Sequence, residues 1–191
     1  MSLLRNILIQ AFILTSLLGT ANAAQMVSAG TFVPYVGKAQ SSDSGATTKF
    51  ELTPYVSYGL QFHMFGPHYF MPELGLAYYH ESAKKTKKRI LFFHYDFSYI
   101  WSSSFIIRYG WTTYWQTISG GGGSINLRNG DSYTDYTALS SPRDSYYTTL
   151  DLGGEFFINP TRSVRLDFNM MNARDLENRA FNYILTYNWY L

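Results

Sequence analysis

Apolar and polar residues alternate along much of this chain, most strictly at its end. Phe181, Tyr183, Leu185, Tyr187, Trp189 and Leu191 form one stripe, and Asn182, Ile184, Thr186, Asn188 and Tyr190, mostly polar, form the other. A period of two marks a β-strand, whose successive side chains point to opposite faces. About ten such residues suffice for a tilted strand to cross a bilayer. The rhythm recurs upstream. Phe50, Leu52, Pro54, Val56, Tyr58 and Leu60 alternate with Glu51, Thr53, Tyr55, Ser57, Gly59 and Gln61. Similar stripes run through Phe70 to Tyr78, Leu91 to Tyr99, Ile107 to Trp115, Thr148 to Phe156 and Val164 to Met170. A weaker first strand is read at Thr31 to Lys38, with Phe32, Pro34 and Val36 on its apolar face. The pattern therefore predicts eight strands.

The connections follow a rhythm of their own. Short turns fall at Phe65-Gly66-Pro67, Ser102 to Ser104 and Asn159 to Arg162. Longer polar segments fall at Ala39 to Thr47, Ser82 to Arg89, Ser119 to Pro142 and Asn172 to Arg179, and the third of these offers a hairpin at Asn129-Gly130. Alternating short and long connections are those of a membrane barrel with periplasmic turns and external loops. Pro34, Pro54 and Pro72 sit awkwardly inside the proposed strands. Proline removes a ladder donor, so bulges, strand ends or shifted boundaries are expected there.

The charges decide which face meets lipid. The polar stripes carry Glu51, Glu73, His94, Asp96, Arg108, Asp151, Glu155, Arg165 and Asp167, whereas the apolar stripes carry almost no charge. A charge at the hydrocarbon midplane costs roughly 2–4 kcal/mol even in a barrel. A soluble sandwich would put its charges on the outer face instead. The fold class is thus all-β: an eight-stranded antiparallel up-and-down transmembrane β-barrel. Such a barrel is just wide enough for side chains to fill it, so its inner charges must be paired or hydrated. Short turns set two registers: Glu155 lies opposite or diagonal to Arg165, and Arg108 faces Ser98 with Asp96 on the diagonal. A network of Arg108 and Arg165 with Glu155, Asp96 and Glu73 is expected. Carboxylates outnumber arginines in the inner set, so it carries an acid excess.

Composition agrees with this picture. Aromatics are 18% of the 191 residues, with 17 Tyr and 14 Phe, and there is no Cys, so neither a disulfide nor a thiolate metal site can form. The formal charge of +2 gives no sign of a nucleic-acid partner. Residues 1–23 read as a cleaved secretory signal peptide, with Arg5, an apolar run from Ile7 to Leu18 and small residues at Ala21 and Ala23. Residues 24–191 are then the barrel.

The terminal stripe ending at Leu191 resembles the C-terminal insertion signal of bacterial outer-membrane barrels. The stretch from Pro72 to Tyr79, with Glu73 and Gly75 turned inward, resembles strands of the small OmpA-like barrels. The chain as a whole resembles the OmpA-transmembrane-domain and OmpX-like group. That resemblance implies residence in the bacterial cell outer membrane. It also implies contact with outer-membrane lipid and lipopolysaccharide, and handling by the barrel-assembly machinery through the last strand.

Candidate chemistry is sparse. His94, Asp96 and Ser98 share one strand face, but same-face neighbours lie about 6.8 Å apart, too far for a hydrolytic triad. The Arg-His-x-Ser-Asn run of the lipid A deacylases is missing. Lys84, Lys85, Lys87 and Lys88 are candidate contacts for lipopolysaccharide phosphates. Gly120 to Gly123 lacks the Lys-Ser/Thr of a phosphate loop and reads as a linker. No cofactor, metal or catalytic set emerges, and no oligomeric state follows. The expected function is that of a non-enzymatic outer-membrane barrel working through its surface loops in adhesion or envelope integrity. The alternatives are a narrow pore or small-molecule channel and a lipid A-modifying enzyme.

Overall fold

A computed structural model describes residues 23–34, 52–81, 86–129, 131–173 and 180–191. Ten strands run through them: β1 (Ala24–Val33), β2 (Thr53–Phe65), β3 (His68–Glu81), β4 (Thr86–Ser102), β5 (Phe105–Gly120), β6 (Ser124–Asn129), β7 (Ser132–Thr137), β8 (Arg143–Asn159), β9 (Arg162–Met171) and β10 (Ala180–Tyr190). Eight close a barrel in the order β1-β10-β9-β8-β5-β4-β3-β2, and β6 with β7 forms a separate two-stranded sheet. Every pairing in the barrel is antiparallel. β1 completes the ring by pairing with both β2 and β10. Closure leaves no open edge to template aggregation and pairs the backbone internally, as hydrocarbon requires.

The face assignments hold along most of β2 to β5 and β8 to β10, although Leu60, Pro72 and Thr113, read as outer-stripe positions, are buried. Leu74, Leu76, Tyr109, Trp111, Leu150, Leu152, Leu166 and Phe168 are exposed on the outside, while Glu73, Asp96, Arg108, Glu155 and Arg165 are buried. The wall is thus apolar outside and polar within, as a lipid-embedded barrel requires.

The first strand corrects the reading from sequence. It runs from Ala24 to Val33 and not from Thr31 to Lys38, and Phe32 points inward with only 2% of its surface exposed. The pairs Met26–Tyr190 and Phe32–Ile184 fix this register. The interior carries an apolar layer that Phe32 fills, so hydrophobicity alone assigns this strand to the wrong face. Residues 35–38 lie outside the described residues, as do residues 1–22 of the expected signal peptide.

The three prolines fall where the ladder tolerates them. Pro34 follows the last residue of β1, and Pro54 is the second residue of β2. Pro72 lies within β3, and across from it the β2–β3 ladder passes from Gly59–Glu73 directly to Phe62–Phe70. Two-residue turns join β2 to β3, β4 to β5 and β8 to β9, each beside a register shift, and Gly66 takes a positive φ of 52° in the first. The expected hairpin in the long loop is β6–β7, whose pairing runs from Ser124–Thr137 to Asn129–Ser132.

β4 and β8 are 17 residues long and β5 is 16. At roughly 3.3 Å per residue and a tilt of about 40°, such strands reach about 40 Å, beyond an apolar band of about 25 Å. These strands therefore carry the ladder past the membrane. β4 accordingly begins at Thr86, so Lys87 and Lys88 belong to a strand and not to the charged loop read from composition.

Candidate functional site

The lumen is built in four tiers, and each long strand contributes to them in the same order. Nearest the three short turns is an open vestibule of about 500 Å³, walled by Gln61, Tyr69, Ile100, Ile106 and Phe157. Above it lies an ionic tier.

In the ionic tier, Arg108 and Arg165 are 1% and 0% exposed. Arg165 grips Glu73 through two parallel contacts, Nη1 to Oε2 at 2.5 Å and Nη2 to Oε1 at 2.8 Å. Its Nε lies 2.8 Å from Asp167. Arg108 donates to Asp96 at 2.8 Å and reaches Glu73 and Glu155 at 3.4 Å each. Bidentate guanidinium–carboxylate pairing is the strong form of this contact. Glu155 sits directly opposite Arg165 in the β8–β9 register, yet the contacts of Arg165 go to Glu73 and Asp167. Glu155 instead accepts hydrogen bonds from Tyr190 at 2.6 Å, from Asn188 at 3.0 Å and from Ser163. Inward glycines make room for the tier. A Cβ on Gly75 would run into the Tyr55 ring, and one on Gly153 into the Asp167 carboxylate.

The third tier is a chain of hydrogen bonds across the lumen. The Tyr55 hydroxyl lies 3.0 Å from Glu73 Oε1 and 2.9 Å from His94 Nε2. His94 Nδ1 lies 2.6 Å from the Thr112 hydroxyl, which also bonds Asp151 Oδ2. Asp151 Oδ1 accepts from Asn169 at 2.5 Å and from Thr149 at 2.9 Å. No ion pair to Asp151 is present among the described residues. His94, Asp96 and Ser98 do not bond one another: His94 bonds Tyr55 and Thr112, Asp96 bonds Arg108, and the Ser98 hydroxyl has no hydrogen-bond partner among the described residues.

The outermost tier is apolar. Phe32, Phe92, Tyr114, Ile90, Ile184 and Met171 pack together, with ring centroids 5.0 Å apart for Phe32–Phe92 and 5.4 Å for Phe92–Tyr114. This tier lies above the charges, on the side away from the short turns.

The lumen thus gathers Glu73, Asp96, Arg108, Glu155, Arg165 and Asp167 into one cluster and sets His94 and Asp151 into the neighbouring relay. Glu51, Lys84 and Lys85 lie outside the described residues. Lys87 is exposed and Lys88 half-buried at the outer end of β4. Tyr55, Thr112, Asn169 and Tyr190 are part of the site but stand out in the sequence only as inward polar positions. Among the described residues no group of His, Asp and Glu is arranged to hold a metal ion.

Apart from the barrel sheet, β6 and β7 form a two-stranded hairpin, whose base is held by hydrogen bonds from Gly122 N–H to Leu139 O and from Ala138 N–H to Gly123 O. Tyr133 is 70% exposed there and Tyr136 is exposed beside it. Asn126 and Asp135 clasp its two strands at 2.8 Å.

No protein-family model matches the chain, and no curated protein matches it in sequence. Solved structures do. The attachment invasion locus protein Ail of Yersinia pestis, solved in complex with the heparin analogue sucrose octasulfate, aligns with a TM-score of 0.52 at 8% identity, over 90% of this chain and 100% of that one. Neisserial surface protein A aligns with a TM-score of 0.49 at 10% identity, over 90% and 97% of the two chains. The N-terminal barrel domain of Pseudomonas aeruginosa OprF gives 0.42 at 10% identity, over 88% and 97%. At these identities the likeness is one of fold, that of the small eight-stranded outer-membrane barrels.

Proposed function

We propose that this outer-membrane barrel is a sealed, non-enzymatic scaffold that works through what it displays outside the cell. The exposed β6–β7 hairpin carries this reading. A free two-stranded hairpin is at best marginally stable in water, and Tyr is a residue type favoured where proteins meet proteins. Tyr133 and Tyr136, exposed on a hairpin that is separate from the barrel sheet and joined to the long strands β5 and β8, are suited to contact another surface. The packed interior supports the scaffold part of the reading: the ionic and apolar tiers leave the outer half of the lumen filled with side chains.

Lipopolysaccharide is the proposed lipid partner. Lys87 and Lys88, at the outer end of β4, supply cations for its phosphates. The barrel-assembly machinery is the proposed partner for β10, whose outward residues Leu185 and Trp189 carry the terminal apolar stripe.

The test is adhesion of cells that display the protein to a second cell type. Tyr133→Ser with Tyr136→Ser should abolish attachment while the barrel still folds. Equal attachment with and without the two tyrosines would overturn the reading.

A further inference from the structure

We propose that the relay Glu73–Tyr55–His94–Thr112–Asp151 holds one proton beyond those its residues carry in water, and that this proton rests on Asp151. Four contacts link the five side chains: Tyr55 to Glu73, Tyr55 to His94 Nε2, Thr112 to His94 Nδ1 and Thr112 to Asp151. Each needs one hydrogen between its two heavy atoms. With both carboxylates ionised and the imidazole neutral, the set owns three: one on Tyr55, one on Thr112 and one on His94. One contact would then bring two buried acceptors together without a hydrogen, which a buried site does not support. A fourth proton satisfies all four contacts.

On His94 the fourth proton would make a buried imidazolium whose two N–H groups meet only the Tyr55 and Thr112 hydroxyls, so a carboxyl is the better seat. Glu73 is gripped by Arg165 and approached by Arg108, so it stays ionised. Among the described residues, the hydrogen-bond partners of Asp151 are all neutral: Thr112, Thr149 and Asn169. With the proton on Asp151, its hydroxyl donates to the Thr112 oxygen. Thr112 then donates to His94 Nδ1, His94 Nε2–H donates to Tyr55, and Tyr55 donates to Glu73. His94 is neutral and protonated at Nε2.

Other ionisable groups face the same space. Asp96 and Arg108 come from β4 and β5, Arg165 and Asp167 from β9, and Glu155 from β8. All five are ion-paired: Arg108 with Asp96, Glu155 and Asp167, and Arg165 with Asp167. Tyr114 and Tyr147 lie on the apolar side, β10 adds Tyr190, and the lumen face of β1 adds no titratable group.

The unfolded chain above neutrality has ionised carboxylates and neutral imidazoles. It therefore binds one proton fewer at this relay than the folded barrel. Stability must then fall as pH rises, with the unfolding constant growing about tenfold per pH unit for one proton. Asp151→Asn supplies a permanent N–H donor to Thr112, so it should remove that slope.

The experiment uses the full barrel refolded in detergent micelles. Infrared spectra above neutrality should show the carbonyl stretch of a protonated carboxyl, lost in Asp151→Asn. Nitrogen NMR should show His94 neutral with its hydrogen on Nε2. Urea unfolding at stepped pH should give a slope for the native protein that is one proton steeper than for Asp151→Asn. Should Asp151→Asn fail to fold, the infrared and NMR readings of the native protein decide alone. An ionised Asp151, whether His94 is neutral or an imidazolium, would overturn the proposal.

Discussion

Arg165 and Glu73 stand 92 positions apart in sequence and on non-adjacent strands, yet their side chains meet face to face across the lumen at 2.5 and 2.8 Å. This pair ties opposite walls of the barrel together. Both groups are buried, so neither finds water if the other is removed. Glu73→Gln or Arg165→Met alone should each cost about 3–5 kcal/mol. The double variant should cost less than the sum, because it leaves no orphaned charge from this pair. Urea titration in detergent, following the folded fraction by gel mobility, measures all three.

Inward glycines should be less tolerant than outer-loop ones. Gly75→Ala places a methyl against the Tyr55 ring, whereas Gly121 has open space around it. Gly75→Ala should destabilise by about 1–3 kcal/mol through overpacking. Gly121→Ala should change stability by less than about 0.5 kcal/mol. Unfolding midpoints of the two variants compare them directly.

The residues that made the fold legible differ from those that build the lumen. Period-two stripes assign Leu152 to lipid and Asp151 to the interior with no knowledge of the neighbours. Two registers could also be counted, because short turns join the strands: Ser98 faces Arg108, and Glu155 faces Arg165. The Glu73–Arg165 pair lay beyond such counting, since no turn connects β3 to β9. The relay was hidden for the same reason. It draws on β2, β3, β4, β5 and β8, which are joined partly by long loops whose lengths set no register. Phe32 misled for a further reason: an interior with an aromatic layer gives β1 an apolar inner face.

That aromatic layer should seal the barrel. Phe92 packs against Phe32, Tyr55 and Tyr114 at centroid distances of 5.0 to 5.4 Å. In planar bilayers the native protein should show no current above background. Phe92→Ala should cost about 3–5 kcal/mol by opening a cavity, which a urea titration reads. Steady single-channel openings in the native protein would contradict a filled lumen.

The outer wall offers the sharpest contrast with its own neighbour in sequence. Leu152 is 60% exposed near the middle of β8, while Asp151 beside it is buried in the lumen. In a soluble protein an exposed leucine accepts a charged replacement at little cost, commonly within ±0.5 kcal/mol. Here the exposed face meets hydrocarbon, and a guanidinium placed there gives up its hydration without gaining a partner. Leu152→Arg should therefore destabilise by about 2–4 kcal/mol when folding is measured into lipid vesicles. Leu152→Phe keeps the face apolar and should change stability by less than about 1.5 kcal/mol. The same two substitutions at Trp101, at the β4–β5 turn and 69% exposed, separate depth from chemistry. Arginine near the interface should cost no more than about 1 kcal/mol. A penalty at Leu152 as small as the one at Trp101 would mean that water, and not lipid, surrounds the middle of this wall.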